Sequence, residues 1–140
     1  MLNETAKAFS PAGISSFFEI CDTTPDGKPI TNLERVGARG GGFGTQRGVT
    51  TEVHVSETKT NDIRVFINGK NAPEAETTKT VVQSLLGNVS GRYHVIVKHD
   101  VEIPIGAGFG SSAAGALTTA LALSKALGLN LTYNQLGKIA

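Results

Sequence analysis

Pro104-Ile-Gly-Ala-Gly-Phe-Gly-Ser-Ser-Ala-Ala114 sets three alternate glycines ahead of two serines and two alanines. Upstream, residues 93–103 are rich in β-branched side chains and long enough for a strand. Downstream, alanines and leucines continue to Leu127 and stop at Gly128, which predicts a buried helix N-capped by Ser111 or Ser112 and ended by glycine. A strand, a glycine loop and a helix in that order present free backbone N–H groups and the positive end of a helix dipole to a phosphate. Gly106, Gly108 and Gly110 permit positive φ and close approach of an anion. Ser111 and Ser112 add hydroxyls for a phosphate oxygen or a magnesium ion, while Ala113, Ala114 and Gly115 keep the first helical turn slim.

Other phosphate loops fit these residues poorly. A P-loop requires a lysine directly before its hydroxyl residue, and here Gly110 stands there, with no lysine between it and Lys125. A dinucleotide site asks for a third glycine where Ser111 lies and for a carboxylate about twenty residues later, yet no Asp or Glu follows Glu102. The glycine loop of protein kinases has similar spacing but sits in a hairpin rather than before an alanine-rich helix.

Outward from this segment, apolar residues alternate at Val49, Val53 and Val55 and again at Ile63, Val65 and Ile67, predicting strands at 49–57 and 63–67, with a turn at Asn68-Gly69. Val81, Val82, Leu85 and Leu86 mark a helix over 77–86 that ends at Gly87 and Asn88. Near the N-terminus, 6–9 and 17–21 read as two extended pieces joined by a turn at Ser10-Pro-Ala-Gly13, and 22–32 as a solvated loop or hairpin tip. Six glycines in the twelve residues 37–48 predict a loop, either functional or mobile. Thr132 is a candidate N-cap for a helix over 133–140, and the lack of a cap at its far end points to a truncated chain.

With 140 residues and 39% hydrophobic content, the chain suits a single core. Thirteen basic and twelve acidic residues leave a net charge of +1, too little to recruit nucleic acid or an anionic membrane surface. Cys21 is the single cysteine, and neither a signal-peptide plan nor a spanning apolar run is present, so a cytoplasmic protein is expected. His54, His94 and His99 lack the companions of a metal site and are given structural or surface roles. Glu19, Glu52 and Glu102 are assigned to solvated strand edges and Arg47 to an exposed loop.

The pattern P-x-G-x-G-x-G-S-S-A-A, complete from Pro104 to Ala114, resembles the signature of the GHMP kinases. Further pieces carry the resemblance along the chain: Ser10-Pro11 with Phe17-Phe18-Glu19, Gly37-Ala-Arg-Gly-Gly-Gly-Phe-Gly44, Gly48-Val-Thr-Thr-Glu52 and Phe66-Ile-Asn-Gly69. Within the family these pieces look most like archaeal pantoate kinases, which serve coenzyme A biosynthesis.

The resemblance implies an α+β fold, the ribosomal protein S5 domain 2-like N-terminal domain of such a kinase, with a mixed or antiparallel sheet and helices packed on one face. It implies ATP and Mg2+ as cofactors. The phosphates would be held by Pro104, Gly106, Ala107, Gly108, Phe109, Gly110, Ser111, Ser112 and Ala113, with Ser112 as magnesium or phosphate ligand. The acceptor would be pantoate or a similar hydroxy acid, whose carboxylate and hydroxyls suit Ser10, Arg39, Thr50 and Thr51. A ferredoxin-like C-terminal domain would close the active site and is expected beyond residue 140. Where family members with a catalytic pair carry a lysine, this chain has Gly13; the paired aspartate would also lie beyond residue 140, so 1–140 alone is expected to be inactive. An exposed inter-domain face would favour a homo-oligomer. Other readings are a homoserine, mevalonate or sugar kinase, a nucleotide-binding regulator, and a nucleic-acid-binding module of S5-like fold.

Overall fold

The computed structural model describes residues 2–140. In chain order the elements are β1 (Asn3–Cys21), β2 (Gly37–Glu57), β3 (Asp62–Ile67), β4 (Lys70–Asn71), α1 (Glu76–Leu86), β5 (Tyr93–Val101), α2 (Ser111–Ala126) and α3 (Tyr133–Ile139), with a 3-10 turn at Leu33–Arg35. The strands form one five-stranded mixed sheet in the order β1-β2-β5-β3-β4. Pairing is antiparallel except between β3 and β5, which run parallel because α1 intervenes as the crossover.

Side-chain alternation decides which face is buried. Val49, Thr51, Val53 and Val55 on β2, Val95, Val97 and His99 on β5, and Val65 on β3 all point to one side and are buried. Against them pack Val81, Val82, Leu85 and Leu86 of α1 and Ala116, Ala120, Leu123 and Ala126 of α2. The small side chains of α2 let that helix lie close to the sheet. Between these positions, Thr50, Glu52, His54, Lys98 and Asp100 face the opposite, helix-free side. There Lys7 and Glu52 meet at 2.8 Å, and the hydrogen bond from Lys7 holds the Glu52 carboxyl below its ordinary range. The expected α+β architecture with helices on one face is thus the observed one. α3 begins as expected at Thr132, whose hydroxyl and backbone exchange hydrogen bonds with Gln135 in a capping box.

Two local expectations are corrected. Ser10-Pro-Ala-Gly13 is no turn: β1 passes straight through it. Pro11 is tolerated because β1 is an edge strand and its pairing with β2 is irregular between Pro11 and Gly13. The glycine-rich segment 37–48 is the first half of β2, paired with β1 out to Cys21. Its composition reflects close backbone approach. A Cβ at Gly42 would overlap the carbonyl of Ile14, and one at Gly48 the carbonyl of Ser10, both beside irregularities in the β1 register. The connecting loop lies at 22–36, where a Thr23–Pro29 bridge makes the expected hairpin tip.

Candidate active site

The residues between β5 and α2 form an open loop fastened at its base. Asn68, in the turn after β3, accepts the Val101 N–H at 2.8 Å and donates to the Val101 carbonyl at 3.2 Å, pinning the end of β5. The Glu102 N–H donates to Gly48 at 3.0 Å, and the Gly13 N–H to the Phe109 carbonyl at 3.1 Å, so β2 and β1 hold the two ends of the loop.

Gly106, Gly108 and Gly110 all adopt left-handed backbone, with φ of 74°, 82° and 68°. A Cβ at any of them would meet nothing within 4 Å. Backbone conformation, not crowding, therefore selects glycine, at about 1–2 kcal/mol for each position if a side chain were forced there. The space a side chain would fill stays open above the start of α2. Gly110 is the N-cap, and its carbonyl accepts the first helical hydrogen bond from Ala114 at 2.9 Å. The expected serine cap is thereby corrected: Ser111 and Ser112 are the first two helical residues, and no side chain caps the helix. Among the described residues neither serine hydroxyl has a hydrogen-bond partner. The N–H groups of Ser111, Ser112 and Ala113 are the orphan donors of a helix start with no acidic residue in its first turn. The result is a set of donors and hydroxyls at the positive end of a 16-residue helix, suited to an anion.

Two clefts flank this helix start. One, on the β1 side, is bounded by Ser10, Gly13, Phe43, Gly110 and Ala113. The other, on the α1 side, is bounded by Thr77, Thr78, His99, Ile105, Ser111 and Ser112. Among the described residues no lysine or arginine lines either cleft, and Glu74 and Glu76 line the second. Charge compensation for a phosphate within residues 2–140 thus falls to N–H groups, hydroxyls and the helix dipole.

The four residues expected to contact an acceptor are scattered. Ser10 lines the first cleft, its hydroxyl donating to the Pro11 carbonyl at 3.1 Å. Thr50 faces the helix-free side of the sheet beside Lys7, Glu52 and Lys98. Thr51 is wholly buried, bonded to His99 at 2.7 Å and to Thr118 at 2.5 Å. Adjacent strand residues point to opposite faces, so Thr50 and Thr51 cannot share a pocket. Arg39 is exposed on the far ribbon, paired in register with Glu19, five residues along β2 from Gly44 and hence about 16 Å from the loop-proximal end. Of the four, only Ser10 adjoins the glycine loop.

One buried group that the sequence assigned merely a structural role lies at the back of the second cleft. His99 is 5% exposed, with Nδ1 at 2.7 Å from the Thr51 hydroxyl and Nε2 at 3.0 Å from that of Thr78. Burial lowers its pKa from 6.5 to about 4, so the ring is neutral at pH 7. The signal that could have placed it was the alternation Val95, Val97, His99, which continues the buried face of β5.

Comparison with known proteins agrees with this geometry. Residues 76–140, from α1 through the loop to the end of the chain, match the family model described as "GHMP kinases N terminal domain". A pantoate kinase of Thermococcus kodakarensis is 35% identical over 132 residues, covering 87% of this chain and 39% of that protein. A pantoate kinase of Methanocaldococcus jannaschii is 28% identical over 132 residues, covering 94% of this chain and 44% of that protein. A solved structure titled "Phosphotransferase related to CoA biosynthesis pathway" superposes with a TM-score of 0.79 at 30% identity, over 96% of this chain and 44% of that one. The chain thus spans about two-fifths of the length of the curated relatives it matches. The signature loop and these likenesses agree: the chain belongs to the GHMP kinase family, matching its N-terminal domain model over residues 76–140.

Proposed function

We propose that the protein is the nucleotide-holding part of an ATP-dependent kinase that phosphorylates pantoate to 4-phosphopantoate in coenzyme A biosynthesis. The observation that carries this reading is the three left-handed glycines that deliver α2 with two uncommitted serine hydroxyls and three orphan N–H groups facing open space. Pantoate as acceptor is supported by the names of the two curated relatives. The ATP phosphates rest on Gly106, Ala107, Gly108, Phe109 and Gly110 and on the N–H groups of Ser111, Ser112 and Ala113, with Pro104 fixing the entry from β5. Mg2+, when bound, neutralises charge on the transferring phosphoryl group. Ser112 suits it as one oxygen ligand, since Mg2+ takes most of its shell from phosphates and water.

A second domain beyond residue 140 completes the site in this reading. It brings the carboxylate that accepts the hydroxyl proton and the cations that the two clefts lack. Residues 1–140 alone then bind nucleotide weakly and transfer no phosphoryl group. Ser10 is the acceptor contact best placed for this role, while Arg39, Thr50 and Thr51 have no direct one. Self-association through the ribbon, where Phe17, Phe18 and Phe43 stay exposed, belongs to the same proposal, as does a cytoplasmic location; no described helix is long and apolar enough to cross a membrane. Two-dimensional NMR of the chain during MgATP titration tests the nucleotide assignment. Shifts are expected at residues 106–113, and shifts confined to other regions would overturn it.

A further inference from the structure

Beneath the loop, four buried side chains form an unbroken hydrogen-bonded chain whose direction can be read from one end. The Thr118 hydroxyl lies 2.8 Å from the Ala114 carbonyl and 3.1 Å from the Gly115 carbonyl. Carbonyls only accept, so Thr118 donates its one proton there and must accept from Thr51, 2.5 Å away. With its own proton spent on Thr118, Thr51 accepts from Nδ1 of His99 at 2.7 Å. His99 therefore carries its proton on Nδ1, and its bare Nε2 accepts from the Thr78 hydroxyl at 3.0 Å. None of the four residues is more than 6% exposed.

The two ends of this chain lie on the two helices that frame the second cleft. Thr78 is in the first turn of α1 and lines the cleft together with Ser111 and Ser112. Ala114 and Gly115 lie where the first turn of α2 passes into the second, two and three residues after Ser112. The ring also packs against α2: a Cβ at Gly115 would stand 3.6 Å from His99 Cε1. Each link is directional and shielded from water, so the arrangement fixes the spacing and rotation of the two helix starts relative to each other.

We propose that Thr78, His99, Thr51 and Thr118 are positioning residues that hold the first turns of α1 and α2 in one register, so that the Ser111–Ser112 donors are pre-set for a nucleotide phosphate. This rests on the nucleotide reading above. None of the four needs to touch the ligand except Thr78, whose hydroxyl oxygen retains acceptor capacity on the cleft wall.

The test combines a tautomer measurement with binding. Long-range proton–nitrogen NMR of the full chain should find the His99 proton on Nδ1; a proton on Nε2 would overturn the directional chain. In calorimetric titrations with MgATP, Thr51→Val, which removes the Thr51 links to both His99 and Thr118, should weaken affinity at least tenfold. Thr51→Ser, which keeps the hydroxyl, should restore it. Thr78→Val is the second probe, to be used if Thr51→Val fails to fold, and carries the same expectation. MgATP affinity unchanged from wild type in a folded variant would sink the positioning role alone. Failure of the wild-type chain to bind MgATP at all would instead sink the nucleotide reading, and the positioning role with it.

Discussion

Acidification should destabilise this domain in large part through His99. His99 is enclosed by the hydroxyls of Thr51 and Thr78 and by the backbone at Gly115, and Glu74 and Glu76, on the wall of the same cleft, form no ion pair with it. Its strand neighbours Lys98 and Asp100 face the other side of the sheet. Burial lowers its pKa from 6.5 to about 4. Because the folded value is the lower one, the unfolded chain binds a proton between these pH values that the folded chain refuses. Stability is then complete above about pH 7, falls as pH drops through 6.5 towards 4, and levels off below. At ~1.4 kcal/mol per tenfold change in proton affinity, the full loss is roughly 3 kcal/mol. That is a large share of the 5–15 kcal/mol typical of a domain. Urea unfolding of wild type and His99→Gln at intervals from pH 7 to pH 4 isolates the effect, since all other titrating groups are common to both proteins. The stability difference between them should shrink by roughly 3 kcal/mol across that range. A difference that stays constant with pH would refute the burial argument.

Other consequences are simpler to read. Gly110→Ala places a Cβ on backbone at φ 68° and should cost about 1–2 kcal/mol in thermal unfolding, with no steric contribution because nothing lies within 4 Å. Gly48→Ala has ordinary backbone but drives its Cβ into Ser10, so a cost on the order of 2 kcal/mol should appear as weakened β1–β2 pairing in hydrogen exchange. Ser112→Ala removes a hydroxyl with no intramolecular partner among the described residues. It should leave the melting temperature within the error of a surface substitution while lowering kcat of the full-length enzyme by at least tenfold.

The parts of the fold legible in the sequence were those with side chains to read. Alternating apolar residues gave β2 from Val49 onward and β3; β-branched content gave β5; the apolar stripe gave α1; and Thr132 gave the start of α3. Segment 37–48 has too few side chains to alternate, and its strand character comes from pairing with β1, a long-range fact. The same cause hid the continuity of β1, because Pro11 and Gly13 signal a turn unless the strand is known to be an edge with irregular pairing. At the site, the loop was legible because its glycines and serines act through backbone geometry. The acceptor contacts were chosen by chemistry alone, whereas strand alternation already separates Thr50 from Thr51.

The proposed reaction is phosphoryl transfer to pantoate by a site built on residues 104–113. Its most direct test is mass spectrometry of products after incubating ATP, Mg2+ and pantoate with the full-length protein, alongside parallel incubations with homoserine, mevalonate and galactose. The account predicts ATP-dependent 4-phosphopantoate from the full-length protein, little product from the other acceptors and none from residues 1–140 alone. Phosphorylation of another acceptor in preference to pantoate, or no phosphorylated product from folded full-length protein, would contradict it.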